Sequence, residues 1–154
     1  MSRLEVPLTY RQLQTTGDIV VHAELTLAIK TDRGAWEPFT FLVDSGTEMT
    51  TMPAEDAKDQ YLPIPKRPVS GLAFQGLEVR SGLLRARIPA MDATEYVFPC
   101  YFLGDPGFAP ARARNLLGLT GVINQIRLTF DGKTSLVAPS GSNFSTCTDA
   151  GSVS

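Results

Sequence analysis

The stretch FLVDSGTEMTT, residues 41–51, carries an apolar run that ends on an aspartate, a serine and a glycine. These residues are common in turns, because the short side chains hydrogen-bond nearby backbone and glycine accepts positive φ. Asp44, however, follows the run FTFLV, which is almost entirely apolar. An acid at the end of a buried strand is costly to desolvate unless it is paired or functional. Asp44 is therefore a candidate catalytic group as well as a turn residue.

Length and composition indicate one soluble globular domain. The chain has 154 residues, a hydrophobic fraction of 43% and a net charge of −2, which together exclude a disordered chain. The near-neutral charge argues against nucleic acid or an anionic membrane as the main partner. No apolar run approaches the roughly 20 residues that span a bilayer. The start, MSRLEVPLTYRQLQ, lacks the apolar region of a signal peptide, so a cytoplasmic location is predicted.

The cysteines and the histidine do not form a metal-binding pattern. Cys100 and Cys147 lack a spacing such as C-x-x-C. Two free thiols in a reducing compartment are the favoured interpretation, and one bridge between the C-terminal tail and the body stays open. His22 is the single histidine and lies in the alternating stretch DIVVHAELTLAIK, where it is predicted to be a strand residue. No metal and no organic cofactor is predicted.

Hydrophobic alternation predicts a mainly β protein. Strands are predicted at 18–30, 39–43 and 94–103, a long hairpin at 69–88, and a short helix at 53–61. Gly71 and Gly76 bracket the expected hairpin tip. Pro99 indicates an edge or a bulge within its strand, because proline cannot donate to a ladder.

The C-terminal part of the domain has a second apolar segment, Leu116-Leu117-Gly118. Apolar residues at helical spacing follow it over 119–127, and a hairpin with Asp131-Gly132 at its turn comes next. Residues 140–154 are small and polar, which predicts a disordered tail. The folded domain is thus expected to cover residues 1–139.

The two apolar segments together resemble a known family. Apolar residues followed by Asp-Ser/Thr-Gly-Ser/Thr/Ala are the signature of aspartic proteases, and Leu42-Val43-Asp44-Ser45-Gly46-Thr47 matches it. Leu116-Leu117-Gly118 before a short helix and a terminal hairpin resembles the second half of the pattern. A single signature in a chain this short resembles the retroviral-type, or retropepsin-like, branch.

The resemblance implies an all-β, single-domain retropepsin-like acid-protease barrel with a flap hairpin and one short C-terminal helix. It implies a homodimer as well, because the reaction needs two aspartates and this chain carries one D-[ST]-G. Asp44 of each protomer would meet at the two-fold axis. The pair would share one proton and activate a water that attacks a peptide bond, without metal or cofactor.

Further roles are implied position by position. Ser45 would hydrogen-bond across the dimer, Gly46 would let the substrate backbone approach, and Thr47 would lie beside the carboxylate. The implied substrate-binding positions are Glu48, Leu116 and the flap residues Leu72, Ala73, Phe74, Gln75 and Gly76. An extended peptide or protein segment would lie between flap and floor as an added strand.

The sequence departs from the retroviral pattern in three places. Glu48 fills an acidic position, but Leu119 stands where a partner arginine is expected, so Arg112 or Arg114 is the candidate replacement. The tip AFQG is bulkier than a glycine-rich flap. The polar residues after Pro139 are unsuited to the interleaved chain ends of retroviral dimers, which predicts different dimer contacts.

Three other functions compete with this interpretation. An inactive dimer of the same fold that binds peptides is the main alternative, although the intact D-S-G-T argues against it. A serine or cysteine hydrolase through Ser45 or Cys100 lacks the G-x-S-x-G elbow and a positioned base. Phosphate binding lacks a Walker or G-x-G-x-x-G pattern.

Overall fold

Strands form most of the regular secondary structure among the described residues, as the apolar alternation predicts. The computed structural model describes residues 4–89, 91, 93–107, 114–130 and 134–139. The elements are β1 (Leu4–Gln12), β2 (Ile19–Lys30), β3 (Trp36–Val43), β4 (Thr50–Pro53), α1 (Ala54–Asp59), β5 (Ala73–Phe74), β6 (Leu77–Arg87), β7 (Tyr96–Leu103), β8 (Leu116–Leu117), β9 (Ile126–Phe130) and β10 (Thr134–Pro139). The predicted tail at 140–154 lies outside the described residues.

A closed ring of strands forms the body of the domain. The sheet runs β5-β6-β7-β4-β8-β3-β2-β1-β10-β9, and an additional pairing joins β6 to β2. That pairing sets Ala28 opposite Arg87 and Ile29 opposite Ala86. Six strands, from β6 round to β2, therefore close into a barrel, which leaves no free edge within the ring.

The barrel core follows from the two-residue period of β2. Leu25, Leu27 and Ile29 are buried, whereas Glu24 and Thr26, on the opposite face of the strand, are exposed. Burying a side chain of this size contributes about 1.5–3 kcal/mol. The largest fully buried side chains from other elements include Phe41, Met52, Leu84, Phe98, Phe102, Leu117 and Ile126. His22 lies in β2, as predicted.

The first strand was not predicted, and the structure shows why its signal is weak. β1 pairs with β10 through Leu4–Pro7 and then with β2 through Leu8–Gln12. The strand thus changes partner at Pro7, and neither half is paired on both sides over its length. β10 also pairs with β9, so the first and last described strands lie in one intramolecular sheet.

The predicted C-terminal helix over 119–127 is wrong. Residues 119–125 form hydrogen-bonded turns, and strand β9 already begins at Ile126. Gly121 has a φ of +73°, in the left-handed region, which interrupts a helix in its middle. The helix predicted at 53–61 does form, as α1.

No helix within the described residues is long and apolar enough to cross a membrane.

The hairpin predicted at 69–88 is present but has unequal arms. β5 has two residues, whereas β6 has eleven, and Ala73 and Phe74 face Glu78 and Leu77. The tip is Gln75-Gly76, with φ values of 52° and 78°, which fit a tight two-residue hairpin turn. Prolines in the preceding segment, at 63, 65 and 68, cannot donate ladder hydrogen bonds, so the incoming arm starts late.

Pro99 lies in a strand that has neighbours on both sides, which differs from the predicted edge. β7 pairs with β6, where Pro99 faces Leu83, and with β4, where the ladder begins only at Cys100. Pro99 therefore falls one residue outside the β4 ladder and occupies an edge position only locally.

Cys100 is a free, fully buried thiol, and it gives the fold an alkaline sensitivity. Burial raises the pKa of Cys100 above its ordinary value, because the thiolate would be poorly solvated there. The unfolded chain therefore loses this proton at a lower pH than the folded one, and stability falls as pH rises above the ordinary thiol pKa of about 8.5.

We expect the Cys100→Val variant to lack this sensitivity. Relative to the variant, the free energy of unfolding of the wild type should fall by about 1.4 kcal/mol per pH unit above about pH 9. Urea unfolding of both proteins over that range measures the difference. If the free energies of unfolding of the two proteins changed equally with pH, the thiol would be as easily ionised in the folded state as in the unfolded chain.

Candidate functional site

Asp44 occupies a tight turn directly after β3. Its carbonyl accepts a hydrogen bond from the Thr47 N–H at 3.2 Å, and its side-chain Oδ1 accepts one from the Gly46 N–H at 2.9 Å. These two bonds fix both the backbone and the carboxylate. Asp44 is half-buried, whereas Ser45 and Gly46 are exposed at the top of the turn. The acid is thus held by the turn while its surroundings stay open on one side.

Residues 115–120 support this turn through strand pairing and backbone hydrogen bonds. β8 runs parallel to β3, with Leu42 opposite Leu116 and Val43 opposite Leu117. The Asp44 N–H donates to the Leu117 carbonyl at 3.1 Å. Farther along, the N–H groups of residues 119 and 120 donate to the carbonyls of residues 47 and 48, at 3.2 and 2.7 Å. The predicted pair of apolar segments therefore meets in space and forms one unit.

Gly118 is where the two segments come closest. A Cβ at this position would lie 2.3 Å from the carbonyl carbon of Met49 and 2.7 Å from the Thr50 nitrogen. Both atoms belong to the backbone, so a side chain cannot be accommodated by rotation of a neighbour. Glycine at 118 is therefore required for β8 to support the loop that carries Asp44.

Thr50, which follows the loop that carries Asp44, bonds to Gly118. Its Oγ1 accepts a hydrogen bond from the Gly118 N–H at 3.1 Å, and the residue is fully buried. Replacement by valine would leave that N–H buried without a partner, so we expect Thr50→Val to destabilise the fold by about 1–3 kcal/mol. Denaturant unfolding of the purified variant measures this loss.

The adjacent Thr51 provides the matched control. It is equally buried, but its Oγ1 has no hydrogen-bond partner within the described structure. Thr51→Val removes an unpaired hydroxyl and is expected to be neutral or stabilising. Equal losses in the two variants would mean that packing, and not the bond to Gly118, sets the cost.

The other predicted site residues fall into two groups. Leu116 is half-buried in β8, between β3 and β4, and Glu48 is exposed beside the turn, so both lie next to Asp44 in the same unit. The flap positions belong to the β5–β6 hairpin and its approach; Leu72 and Phe74 are half-buried, and Ala73, Gln75 and Gly76 are exposed.

The structure does not pair Glu48 with Arg114. Arg114 is exposed in a groove that it shares with Glu24 and Asp56. Arg112, the other candidate partner, lies outside the described residues. Among the residues that are described, no cation forms an ion pair with Glu48, which therefore presents an open negative charge beside the turn.

Two supporting residues were missed by the sequence reasoning. Thr50 bonds to Gly118, and Asn115 accepts from the Leu42 N–H through its backbone carbonyl and donates through its amide to the Thr40 carbonyl at 3.2 Å. Neither belongs to the aspartate signature. The available signal was the polar residue that directly precedes the apolar pair at 116–117.

Comparison with known proteins supports this architecture at the level of the fold. No family model and no curated protein sequence matches the chain. Among solved structures, the chain is similar to a retropepsin-like aspartic protease from Rickettsia conorii, with a TM-score of 0.55 and 13% sequence identity. The similarity covers 88% of this chain and 89% of that one. The barrel and its paired apolar segments therefore have the retropepsin-like aspartic protease fold.

Proposed function

We propose that this protein is an aspartic endopeptidase that works as a homodimer, with one Asp44 from each protomer. The observation that carries the proposal is the position of Asp44 itself. It ends a barrel strand of a retropepsin-like fold, its Oδ1 is oriented by the Gly46 N–H, and the turn is supported by Leu117 and Gly118.

A second carboxylate is required because the proposed step uses an ionised carboxylate that removes a proton from water and a protonated one that donates to the carbonyl oxygen. The sequence has one D-[ST]-G, so a two-fold axis would bring the same turn from a second copy to face it. Two carboxylates in contact cannot both ionise at low cost and share one proton. The exposure of Ser45 and Gly46 at the top of the turn leaves that face open to the second copy.

The reaction then follows general acid–base chemistry. The ionised carboxylate removes a proton from water, the water oxygen attacks the peptide carbonyl carbon, and the protonated carboxylate donates to the carbonyl oxygen. As the tetrahedral species collapses and the C–N bond breaks, the amine takes the proton that the first carboxylate removed from water, and a hydroxyl of the tetrahedral species returns a proton to the second carboxylate. No covalent enzyme intermediate forms, and Ser45 acts in positioning and not as a nucleophile.

Substrate recognition is assigned to the surroundings of the turn. An extended peptide would lie across Gly46, with its main chain paired as an added strand and the β5–β6 hairpin closing over it as a flap. Leu116, half-buried beside Asp44, would line an apolar side-chain pocket. The unpaired charge of Glu48 would favour a basic side chain in the substrate.

A subunit-mixing experiment tests the shared site. Asp44→Asn protomers added to a fixed amount of wild type would form mixed dimers with one acid, which should be inactive. At equal amounts, the activity on a peptide library should fall to about half, and at a threefold excess to about a quarter. When the protein is fully dimeric, activity that does not change on mixing would show that each protomer acts alone.

A further inference from the structure

A cavity of about 570 Å³ lies beside residues 61–66, which precede the β5–β6 hairpin, and Asp44 does not line it. One wall is the segment 61–66, which follows α1, and the remaining walls are Asp32, Lys58, Arg80 and Pro106. None of residues 44–48 or 115–120 contributes to it. The volume falls in the range of about 300–1,000 Å³ that is usual for small-molecule sites.

Arg80 supplies a buried positive charge to this cavity. It is the one charged residue that is buried among the residues the structure describes, with 9% of its surface exposed. Its Nη1 donates to the Gly104 carbonyl at 2.8 Å, and the nearest carboxylate is that of Glu78, at 3.8 Å and 63% exposed. A buried guanidinium with so weak a counter-charge is costly, and an anion in the cavity would lower that cost.

Two further cations face the same space. Lys58 and Lys66 line the cavity together with Arg80, whereas Asp32 is its single acid. Lys58 Nζ reaches the Pro106 carbonyl at 3.4 Å, a long contact that leaves its other donors available. The lining therefore has an excess of positive charge around an apolar floor of proline, leucine and isoleucine.

Tyr61, in this wall, has a strained backbone conformation with positive φ. The Leu62 N–H donates to the Ala57 carbonyl and the Tyr61 N–H to the Lys58 carbonyl, the pattern of a Schellman helix end. That motif places Tyr61 at a φ of 58°, where glycine is the usual residue. Its ring is stacked by the Arg33 guanidinium at 3.3 Å and lines the cavity. Residues with backbone strain of this kind concentrate at ligand sites.

We propose that this cavity is a second binding site, for a small molecule that joins a carboxylate or phosphate group to an apolar body. Arg80 and Lys66 would bind the anionic group, and Tyr61 with the proline-rich segment would cover the apolar part. Because that segment precedes the hairpin and Arg80 lies on its outgoing strand β6, the bound molecule would contact one arm of the hairpin and the chain that leads into the other.

Calorimetric titration of the wild-type protein with octanoate, octyl phosphate and octanol tests the proposal without any need for catalytic activity. We expect saturable binding of at least one of the two anions with one site per chain, and markedly weaker binding of octanol. The anion that binds more tightly identifies the preferred head group. Failure of both anions to bind, or equal binding of octanol, would overturn the proposal.

Exposed lysines give variants that leave the fold untouched. Lys66→Gln should weaken anion binding by about fivefold, and Lys58→Gln/Lys66→Gln should weaken it further. Arg67→Gln is the matched control, since Arg67 is exposed and adjacent but does not line the cavity. Equal weakening by Lys66→Gln and Arg67→Gln would show general attraction to a basic surface and would contradict a site in the cavity.

Discussion

Replacing Asp44 with asparagine is expected to lower peptide hydrolysis by about 10²- to 10⁴-fold while the fold stays intact. The amide keeps an oxygen that accepts the Gly46 N–H, which the carboxylate now binds at 2.9 Å, so the turn should persist. What is lost is the group that removes and returns a proton. Steady-state cleavage of a peptide library, with circular dichroism and unfolding of the same samples, separates the two effects.

The chain offers a close control for this variant. Asp105 begins an Asp-Pro-Gly turn in which its Oδ1 accepts the Gly107 N–H, also at 2.9 Å. Asp105→Asn changes the same chemical group in the same local geometry and should leave hydrolysis unchanged. A wild type that cleaves nothing, yet binds peptides as a dimer, would favour the peptide-binding alternative. Full activity of Asp44→Asn would reduce Asp44 to a turn residue.

Gly118→Ala is expected to cause the largest loss of stability of any methyl addition considered, about 3 kcal/mol or more. The new Cβ would meet the Met49 carbonyl carbon at 2.3 Å and its oxygen at 2.5 Å. To relieve that overlap, β8 must separate from the loop that carries Asp44. Hydrolysis should therefore fall together with the free energy of unfolding, which denaturant titration measures.

Gly107→Ala is the corresponding control. A Cβ there would lie 3.5 Å from Asp105 Oδ1, an ordinary contact, and Gly107 is exposed. We expect a change within about 0.5 kcal/mol. Should Gly118→Ala prove equally mild, the close approach of the two segments could not be what holds the turn in place.

The sequence was most informative where side chains alone decide the structure. Leu25, Leu27 and Ile29 alternate with polar residues, and a strand with one buried face is the simplest consequence. The apolar run before Asp44 similarly predicted a strand that ends in a turn. The structure confirms both, and it shows in addition that residues 116–118 contact the segment that carries Asp44.

The sequence was less informative where backbone conformation or contact with a distant segment determines the local structure. The spacing over 119–127 suits a helix, but Gly121 has a positive φ and packs so tightly that a Cβ there would lie 2.6 Å from Pro99 Cδ. β1 is stabilised by two partners that are far apart in sequence. Thr50 carries no motif, and its role became visible only with its bond to Gly118.

The pairing of β10 with β1 and β9 has a consequence for regulation. β10 pairs with β1 and with β9 of the same chain, so this sheet forms without a strand from a second copy. Activity would then rise with the square of protomer abundance when dimers are scarce. For the proposed dimeric enzyme, a rise in local protomer concentration would by itself switch proteolysis on.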